Sequence, residues 1–478
     1  MDIDVEKYLR PDLSKARVRS KKDVLHDDFQ IQEGQQHIGH GKAYWVQTYG
    51  CQANEADAET MAGILKLMDF KAAETEAEAD VIIINTCAIR ENAENRVWGE
   101  LGRLKALKRH NPDLILALSG CMAQEEKVVN RILKTYQHVD IVFGTHNVHK
   151  LPEYIQTAMF SKERVIEVYS EEGNVVENLP KARNHKKKAW VNIMFGCDEF
   201  CTYCIVPYTR GKERSRYKED IIKEVQELKD AGYLEVTLLG QNVNAYGKDF
   251  SDRSYTFGDL LRDLDKTGIP RIRFTTSHPH DLDVKTMEAI RDCDSLMPFF
   301  HLPVQSGSAT VLRKMNRRYT KQSYLKKLQQ LKETVPGISV TTDIIVGFPG
   351  ETDEDFMDTL DLVRQADFEG AFTFIFSPRE GTPAAEYEDL TDMETKKARL
   401  YQLNELINEG YLKGNKRFVG EVVEVLVDGP SKNDDSVLAG YSPHQKLVNF
   451  KGDHSLIGHI VKVKITEAKT WFLLGEAV

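Results

Sequence analysis

At 478 residues with 41% hydrophobic side chains, the chain has material for about three cored domains, which excludes global disorder. A formal charge of −10 excludes a protein that coats nucleic acid by bulk electrostatics, so any RNA contact needs a local basic face. The start has no basic-then-apolar leader and no run of about 18 apolar residues occurs, which predicts a soluble, cytoplasmic protein without a membrane span.

Residues 1–40 are polar and mixed in charge, and read as a flexible N-terminal arm with one short helix. The basic stretch from Lys15 to Lys22 reads as a solvated tail, with RNA contact as the competing reading. Over 41–160 the pattern alternates. Apolar runs at 44–49, 81–85, 114–119 and 140–143 predict buried strands. Helical stretches at 55–68, 91–108 and 124–134 separate them. Strand–helix–strand repetition predicts an open parallel α/β domain. A mixed segment covers 146–180, and the run 181–188 reads as an exposed basic linker.

A second alternating series fills 183–415. Strands are expected at 190–195, 234–239, 271–276, 299–304, 339–346 and 372–376. Helices are expected at 218–231, 257–266, 284–291, 308–331 in two pieces, and 353–365. Six β/α units predict a partial (β/α)6 barrel rather than the closed eight-fold one, with a long helix at 392–413 to close it. From Lys416 onward, short β-rich segments at 422–427, 446–449, 460–468 and 471–474 predict a small antiparallel β-barrel.

Seven cysteines, an odd number without a secretory signal, disfavour a disulfide framework. Cys197, Cys201 and Cys204 stand directly after the first strand of the second series. Three thiolates in eight residues suit an Fe–S cluster or zinc. A structural zinc site closes with four protein ligands, and no fourth Cys or His sits at short spacing. A four-iron cubane held by three cysteines leaves one iron open. The competing reading is a zinc knuckle completed by His278, His301 or Cys293.

Cys51, Cys87 and Cys121 are far apart in sequence, but each stands just past a predicted strand. In a parallel sheet those ends share one edge, where ligands bind, and strands about 4.8 Å apart let three loops converge. Three incidental core cysteines are the alternative. Polar groups also gather at the other strand ends of the second series: Gln241, Asn242, Gln305 and Gly347, with Asp343 inside its strand. They read as a cofactor pocket, with turn chemistry the bland reading for any one of them.

Cys197-x3-Cys201-x2-Cys204 resembles the motif of the radical S-adenosylmethionine enzymes. That resemblance implies a 4Fe-4S cluster whose open iron chelates S-adenosylmethionine for cleavage to a 5′-deoxyadenosyl radical. Both cysteine trios and the C-terminal barrel together resemble the methylthiotransferase family. The resemblance runs through Thr48-Tyr49-Gly50-Cys51-Gln52-Ala53-Asn54, Asn85-Thr86-Cys87-Ala88-Ile89-Arg90, Gly120-Cys121-Met122-Ala123-Gln124 and Cys204-Ile205-Val206-Pro207-Tyr208-Thr209-Arg210-Gly211. It continues in His301-Leu302-Pro303-Val304-Gln305-Ser306-Gly307 and Asp343-Ile344-Ile345-Val346-Gly347-Phe348-Pro349-Gly350-Glu351, and ends in a barrel similar to the TRAM domain.

Within that family, Tyr49-Gly50-Cys51-Gln52 and Val206-Pro207-Tyr208-Thr209-Arg210-Gly211 resemble the branch acting on N6-isopentenyl adenosine beside the tRNA anticodon, at position 37. One departure is Ala53, where that branch has Met. The resemblance implies two 4Fe-4S clusters. One, on Cys51, Cys87 and Cys121, is auxiliary and carries the sulfur; the other, on Cys197, Cys201 and Cys204, works with S-adenosylmethionine. Two S-adenosylmethionine molecules are used, one to methylate the sulfur and one to form the radical that takes hydrogen from C2 of adenine.

Gln241, Asn242, Gln305, Asp343 and Gly347 are the expected S-adenosylmethionine pocket. The expected partners are a tRNA anticodon stem-loop and an electron donor such as flavodoxin or ferredoxin, and the chain reads as a monomer. Alternatives are methylthiolation of a ribosomal-protein aspartate or of a different modified tRNA adenosine. Arg210, Lys212, Arg214 and Arg216 read as phosphate clamps or as ordinary surface cations. From Lys416 the charges balance, eight Lys/Arg against eight Asp/Glu, so RNA binding by the last barrel rests on resemblance alone.

Overall fold

The computed structural model describes residues 23–88, 91–168, 174–432 and 434–478, together with Val18. The basic stretch from Lys15 to Lys22, Val18 aside, lies outside the described residues, as do Ile89 and Arg90 of the second cysteine motif.

After β1 (His26–Asp28) comes a six-stranded sheet of β2 (Ala43–Tyr49), β3 (Lys71–Ala72), β4 (Val81–Thr86), β5 (Ile115–Gly120), β6 (Ile141–Phe143) and β7 (Val165–Glu167). Its spatial order is β3-β2-β4-β5-β6-β7, and every pairing is parallel. β4 and β5 are buried along their whole length, which is why Val81-Ile82-Ile83-Ile84 is uninterrupted apolar: a central parallel strand is covered on both faces. β8 (Val175–Glu177) pairs in parallel with β1. Residues from 23 on, expected in a flexible arm, are thus bonded into the fold, and Phe29, Ile31 and Ile38 pack on the core of the first sheet.

The second series forms β9 (Lys188–Asn192), β10 (Met194–Phe195), β11 (Arg214–Ser215), β12 (Glu235–Leu239), β13 (Arg271–Thr275), β14 (Phe299–His301), β15 (Ser339–Val346) and β16 (Ala371–Ile375). β9-β12-β13 and β14-β15-β16 are two parallel sheets, joined through an isolated parallel bridge between Ile272 and Leu296. Together they make an open half-barrel of six strands. Val191, Val236, Leu238, Ile272, Phe274, Phe300, Ile344 and Val346 face the outer helices and form the largest core. Alternation sends the intervening residues, among them Arg273, His301, Asp343 and Phe372, to the concave side. The helix Met393–Lys416 follows.

β17 (Val422–Ser431), β18 (Asp434–Tyr441), β19 (Leu447–Lys451), β20 (Ile460–Ala468) and β21 (Leu473–Ala477) close a barrel in the order β17-β18-β19-β21-β20. Four of the five pairings are antiparallel and β19–β21 is parallel. An odd number of strands cannot alternate direction all the way round a ring, so one parallel neighbour is unavoidable. β18 has no counterpart among the strands expected from the sequence, because its polar opening Asp434-Asp435-Ser436 hides the apolar half. The end of β18 and the loop after it seal the amino end of the half-barrel: Arg271 donates to the Tyr441 carbonyl at 3.0 Å, and Arg273 to the Ser442 carbonyl at 2.8 Å.

The run 181–188 is not an exposed linker throughout. Arg183 donates to Glu59 of the first domain at 3.0 Å and to Glu224 of the half-barrel at 2.7 Å, and Lys181 pairs with Glu224.

Candidate active site

Tyr49, Thr86 and Gly120 lie side by side in register at the carboxyl ends of β2, β4 and β5. Cys51, Cys87 and Cys121 follow within two residues, so three distant cysteines arrive at one sheet edge. Gly120 (φ +98°) makes the approach possible, since a Cβ there would stand 2.3 Å from the Thr86 carbonyl oxygen. The Cys87 amide donates to the Tyr49 carbonyl at 3.0 Å. Cys51 caps the helix Gln52–Leu67. Asn54 Oδ1 lies 3.3 Å from both the Cys51 amide and its Sγ, while Asn85 Nδ2 donates to the Asn54 carbonyl at 2.6 Å.

These thiols differ sharply in acidity. The neighbouring Cys87 thiol, with Arg210 and the helix N-terminus, holds Cys51 down to about 5 against the desolvation that opposes it. Burial pushes Cys121 up, with Arg210 pulling the other way. Arg210 Nε donates to Cys121 Sγ at 3.2 Å, and its Nη2 pairs with Asp57 at 2.7 Å.

The second trio sits in the loop after β10. Gly196 (φ +74°) turns the chain where a Cβ would stand 1.9 Å from the Lys212 carbonyl oxygen. Its amide donates to Gln241 Oε1 at 2.5 Å. The Cys197 amide donates to the Gly211 carbonyl at 3.1 Å and that of Cys204 to the Cys201 carbonyl at 3.0 Å. Asn316 Nδ2 holds the Phe200 carbonyl at 2.9 Å, and Arg317 Nη1 lies 3.6 Å from Cys201 Sγ. Desolvation drives Cys197 well above the ordinary thiol range and Cys204 up to about 12. Such thiols give up their protons to a metal, whose positive charge inverts the local balance.

The donor chemistry fits 4Fe-4S clusters. Sulfurs around one zinc at about 2.3 Å lie roughly 4 Å apart. Among the described residues the group with ligand atoms within 4.8 Å of one another is Glu199, His280 and Asp281, with no cysteine in it. Neither trio therefore closes on a single ion, and neither His278 nor His301 completes one. A cubane spreads its thiolates wider, and a guanidinium beside one sulfur of each trio suits an anionic cluster. Cys293 is buried in the half-barrel core, after the helix Val284–Asp292.

The two trios face one another. Ala88 and Cys121 of the first domain share an apolar cluster with Phe200, Ile205 and Tyr208 of the cysteine loop. Gln52, next to Cys51, accepts from Thr275 Oγ1 at 3.2 Å at the carboxyl end of β13, and Thr145 donates to the Thr209 carbonyl at 2.7 Å.

The remaining pocket candidates scatter over this rim. Gln241 supports the cysteine loop directly. Asn242 Nδ2 donates to Asp281 at 2.5 Å, beside Glu199 of that loop. Gln305 (φ +69°) donates from its amide to the Asp343 carbonyl at 2.8 Å. Asp343 meets His301, Oδ2 to Nε2, at 3.4 Å on the concave side. At Gly347 (φ +66°) a Cβ would stand 2.5 Å from Lys396 Cγ, and its amide donates to Glu351 Oε2 at 2.6 Å.

The clamp reading of the basic run is overturned. Arg210, Lys212, Arg214 and Arg216 are all at most 7% exposed, and Arg216 pairs with Glu177 at 2.6 Å and Glu224 at 2.7 Å. Arg210, through Asp57, and Arg216, through Glu177, tie the half-barrel to the elements before it, and burial takes all four side chains out of reach of a phosphate backbone. Arg317 had no sequence signal, since its role depends on a turn at Asn316 (φ +59°).

Three family matches cover most of the chain: the uncharacterized protein family UPF0004 at 43–144, the Radical SAM superfamily at 191–363 and the TRAM domain at 416–478. The chain is 58% identical over 472 residues to the tRNA-2-methylthio-N(6)-dimethylallyladenosine synthase of Bacillus subtilis, covering 98% of this chain and 93% of that one. It is 57% identical to the protein of the same name from Anoxybacillus flavithermus, covering 99% and 91%. Among solved structures, the radical S-adenosylmethionine methyltransferase TsrM from Kitasatospora setae aligns with a TM-score of 0.53 at 13% identity, covering 72% of this chain and 75% of that one; the likeness is one of fold. The chain belongs to the tRNA-2-methylthio-N(6)-dimethylallyladenosine synthase family of radical S-adenosylmethionine methylthiotransferases.

Proposed function

We propose that this chain methylthiolates C2 of N6-isopentenyl (dimethylallyl) adenosine at position 37 of tRNA, with two S-adenosylmethionine molecules and two 4Fe-4S clusters. The observation that carries this reading is the meeting of two cysteine trios, one from each domain, across the layer of Ala88, Phe200, Ile205 and Tyr208. Cys51, Cys87 and Cys121 hold the auxiliary cluster, and Cys197, Cys201 and Cys204 the other. When bound, these groups supply a methylthio sulfur and a 5′-deoxyadenosyl radical, which aromatic C–H bonds require because acid–base catalysis leaves them inert.

The chain's own residues do the rest. Arg210 and Arg317 offset cluster charge from beside Cys121 and Cys201. Gln241 fixes the turn at Gly196 that aims the cysteine loop. With Asn242, Gln305, Asp343 and Gly347 it belongs to the S-adenosylmethionine pocket. The apolar layer keeps water from reactive species between the trios. The target base leaves its stack in the anticodon loop, where unstacking is least expensive. The last barrel, with Lys462 and Lys464 on the outer face of β20, contributes RNA contacts. We assign flavodoxin or ferredoxin as electron donor, a monomer as the working form and the cytoplasm as its location.

The test is anaerobic reconstitution followed by incubation with an isopentenylated anticodon stem-loop. A methylthio mass increment on the RNA, with about eight irons per chain, is the expected result. An untouched RNA alongside a methylthiolated ribosomal protein would assign the chain to the aspartate reaction, and colourless, zinc-loaded protein would remove both clusters.

A further inference from the structure

The concave side of the half-barrel carries two aromatic rings left largely uncovered. Phe372 and Phe374 on β16 are 60% and 50% exposed. In the parallel pairing of β15 and β16, Asp343 stands beside Phe372 and Ile345 beside Phe374. Both rings therefore share the face opposite Ile344 and Val346, which belong to the helix-covered core. His301 links them to the polar wall: its ring meets Phe372 edge to face at 6.0 Å and its Nε2 reaches Asp343 at 3.4 Å.

Their depth is set by the strand. Phe376, just past β16, packs in one cluster with Phe348, and Tyr203 of the cysteine loop packs against it. At about 3.3 Å per residue, Phe374 and Phe372 stand about 7 and about 13 Å below that level. β16 is the last strand of its sheet, so the rings flank the lateral mouth of the half-barrel. Anything entering sideways toward the cysteine rim passes over them.

We propose that Phe372 and Phe374 seat the apolar N6 substituent of the substrate adenosine, while His301, between Phe372 and Asp343 of the S-adenosylmethionine pocket, faces the polar edge of its purine. The assignment rests on the function proposed above. The substrate in the relatives' name carries a branched five-carbon apolar arm beside a hydrogen-bonding base. A cleft that pairs two exposed rings with a few placed polar groups matches that two-part chemistry. An unmodified adenosine, with a bare amino group, leaves both rings wet. The pair is thus a specificity device that selects prenylated RNA.

The experiment uses the reconstituted holoenzyme and two stem-loops, one with isopentenyl adenosine and one with plain adenosine. Kd is measured for each RNA, and 5′-deoxyadenosine release without RNA serves as the control for intact cluster chemistry. The expected result is that the double variant Phe372→Ala/Phe374→Ala loses at least tenfold of the preference for prenylated RNA. Affinity for plain RNA and RNA-independent release stay at wild-type values, and Phe374→Leu keeps most of the preference. Unchanged preference in the alanine variant overturns the assignment, and so does equal weakening toward both RNAs, which would make the rings a base-stacking platform. If the wild-type enzyme leaves prenylated RNA unmodified, the functional reading itself fails and this one with it, an outcome visible before any variant is made.

Discussion

Arg210 Nε stands 3.2 Å from Cys121 Sγ while the same guanidinium pairs with Asp57 at 2.7 Å. Arg210 belongs to the segment after the radical cysteine loop, whereas Cys121 and Asp57 belong to the first domain. One buried cation thus ties the segment after one cysteine trio to the first domain and donates a hydrogen bond to the Cys121 sulfur of the other. Buried beside carboxylate and thiol, it is held firmly in its charged form although burial alone favours losing the proton.

Hydrogen bonds to ligand sulfurs and nearby positive charge raise cluster potentials. Arg210→Gln is therefore expected to keep about eight irons but lower the midpoint potential of the Cys51/Cys87/Cys121 centre, read by EPR redox titration. Methylthiolation should fall about 10–100-fold, as for other groups that orient metal ligands. An unshifted potential would leave Arg210 only a tie between domains.

On the proposed function the two trios divide the chemistry, and single substitutions test that division. Cys197→Ala should abolish cleavage of S-adenosylmethionine. Cys87→Ala should leave cleavage intact and stop methylthiolation, with iron per chain reduced by about half. Both products come from one chromatographic run with a mass readout. Methylthiolation surviving Cys87→Ala would strip that cysteine of its assigned role.

Much of this architecture can be read in the sequence, because strand–helix alternation is a local pattern. The run Val81-Ile82-Ile83-Ile84 announces a central parallel strand, and Cys51, Cys87 and Cys121 mark its carboxyl edge by position alone. What escapes is tertiary. Arg210, Lys212, Arg214 and Arg216 look like surface cations, yet all four are buried, and Asp57 and Glu177, far off in the chain, pair with Arg210 and Arg216. Lys181 and Arg183 mislead in the same way. Phe372 and Phe374 look like buried strand residues, since a partial barrel is legible in the count of six units but apolar alternation does not show which face of its last strand stays uncovered.

Glu224 concentrates this hidden electrostatics. Burial works against its charge, but Lys181, Arg216 and Arg183 hold it far below the usual carboxylate range. Removing one partner of a buried ion cluster leaves uncompensated charge, so Glu224→Gln should destabilise the fold by about 3–5 kcal/mol. Urea unfolding checks this. A loss under about 1 kcal/mol would mean that Glu59 and Glu177 alone satisfy the three cations.

His444 makes the seal between the last barrel and the half-barrel sensitive to acid. Its ring packs against Phe418 at 5.0 Å in the segment whose carbonyls hold Arg271 and Arg273. Burial, then the charge of Arg417, pushes its imidazole down to about 4, against about 6.5 in an unfolded chain. Between those values the unfolded chain binds a proton that the folded one refuses. The contribution is therefore complete above about pH 6.5 and is lost as pH falls toward 4, amounting to about 2 kcal/mol by pH 5. His278, also kept neutral by burial and by Arg317, acts with the same sign. Calorimetry from pH 7 to pH 5 should show this histidine's share as a difference: buried carboxyls such as Glu213, pushed up to about 8, act with the opposite sign in both proteins, so the melting temperature of His444→Phe should fall less, or rise more, than that of the wild type. An identical slope in the variant would show that the acid response arises elsewhere, whereas a steeper one would show that the ring is charged in the folded state.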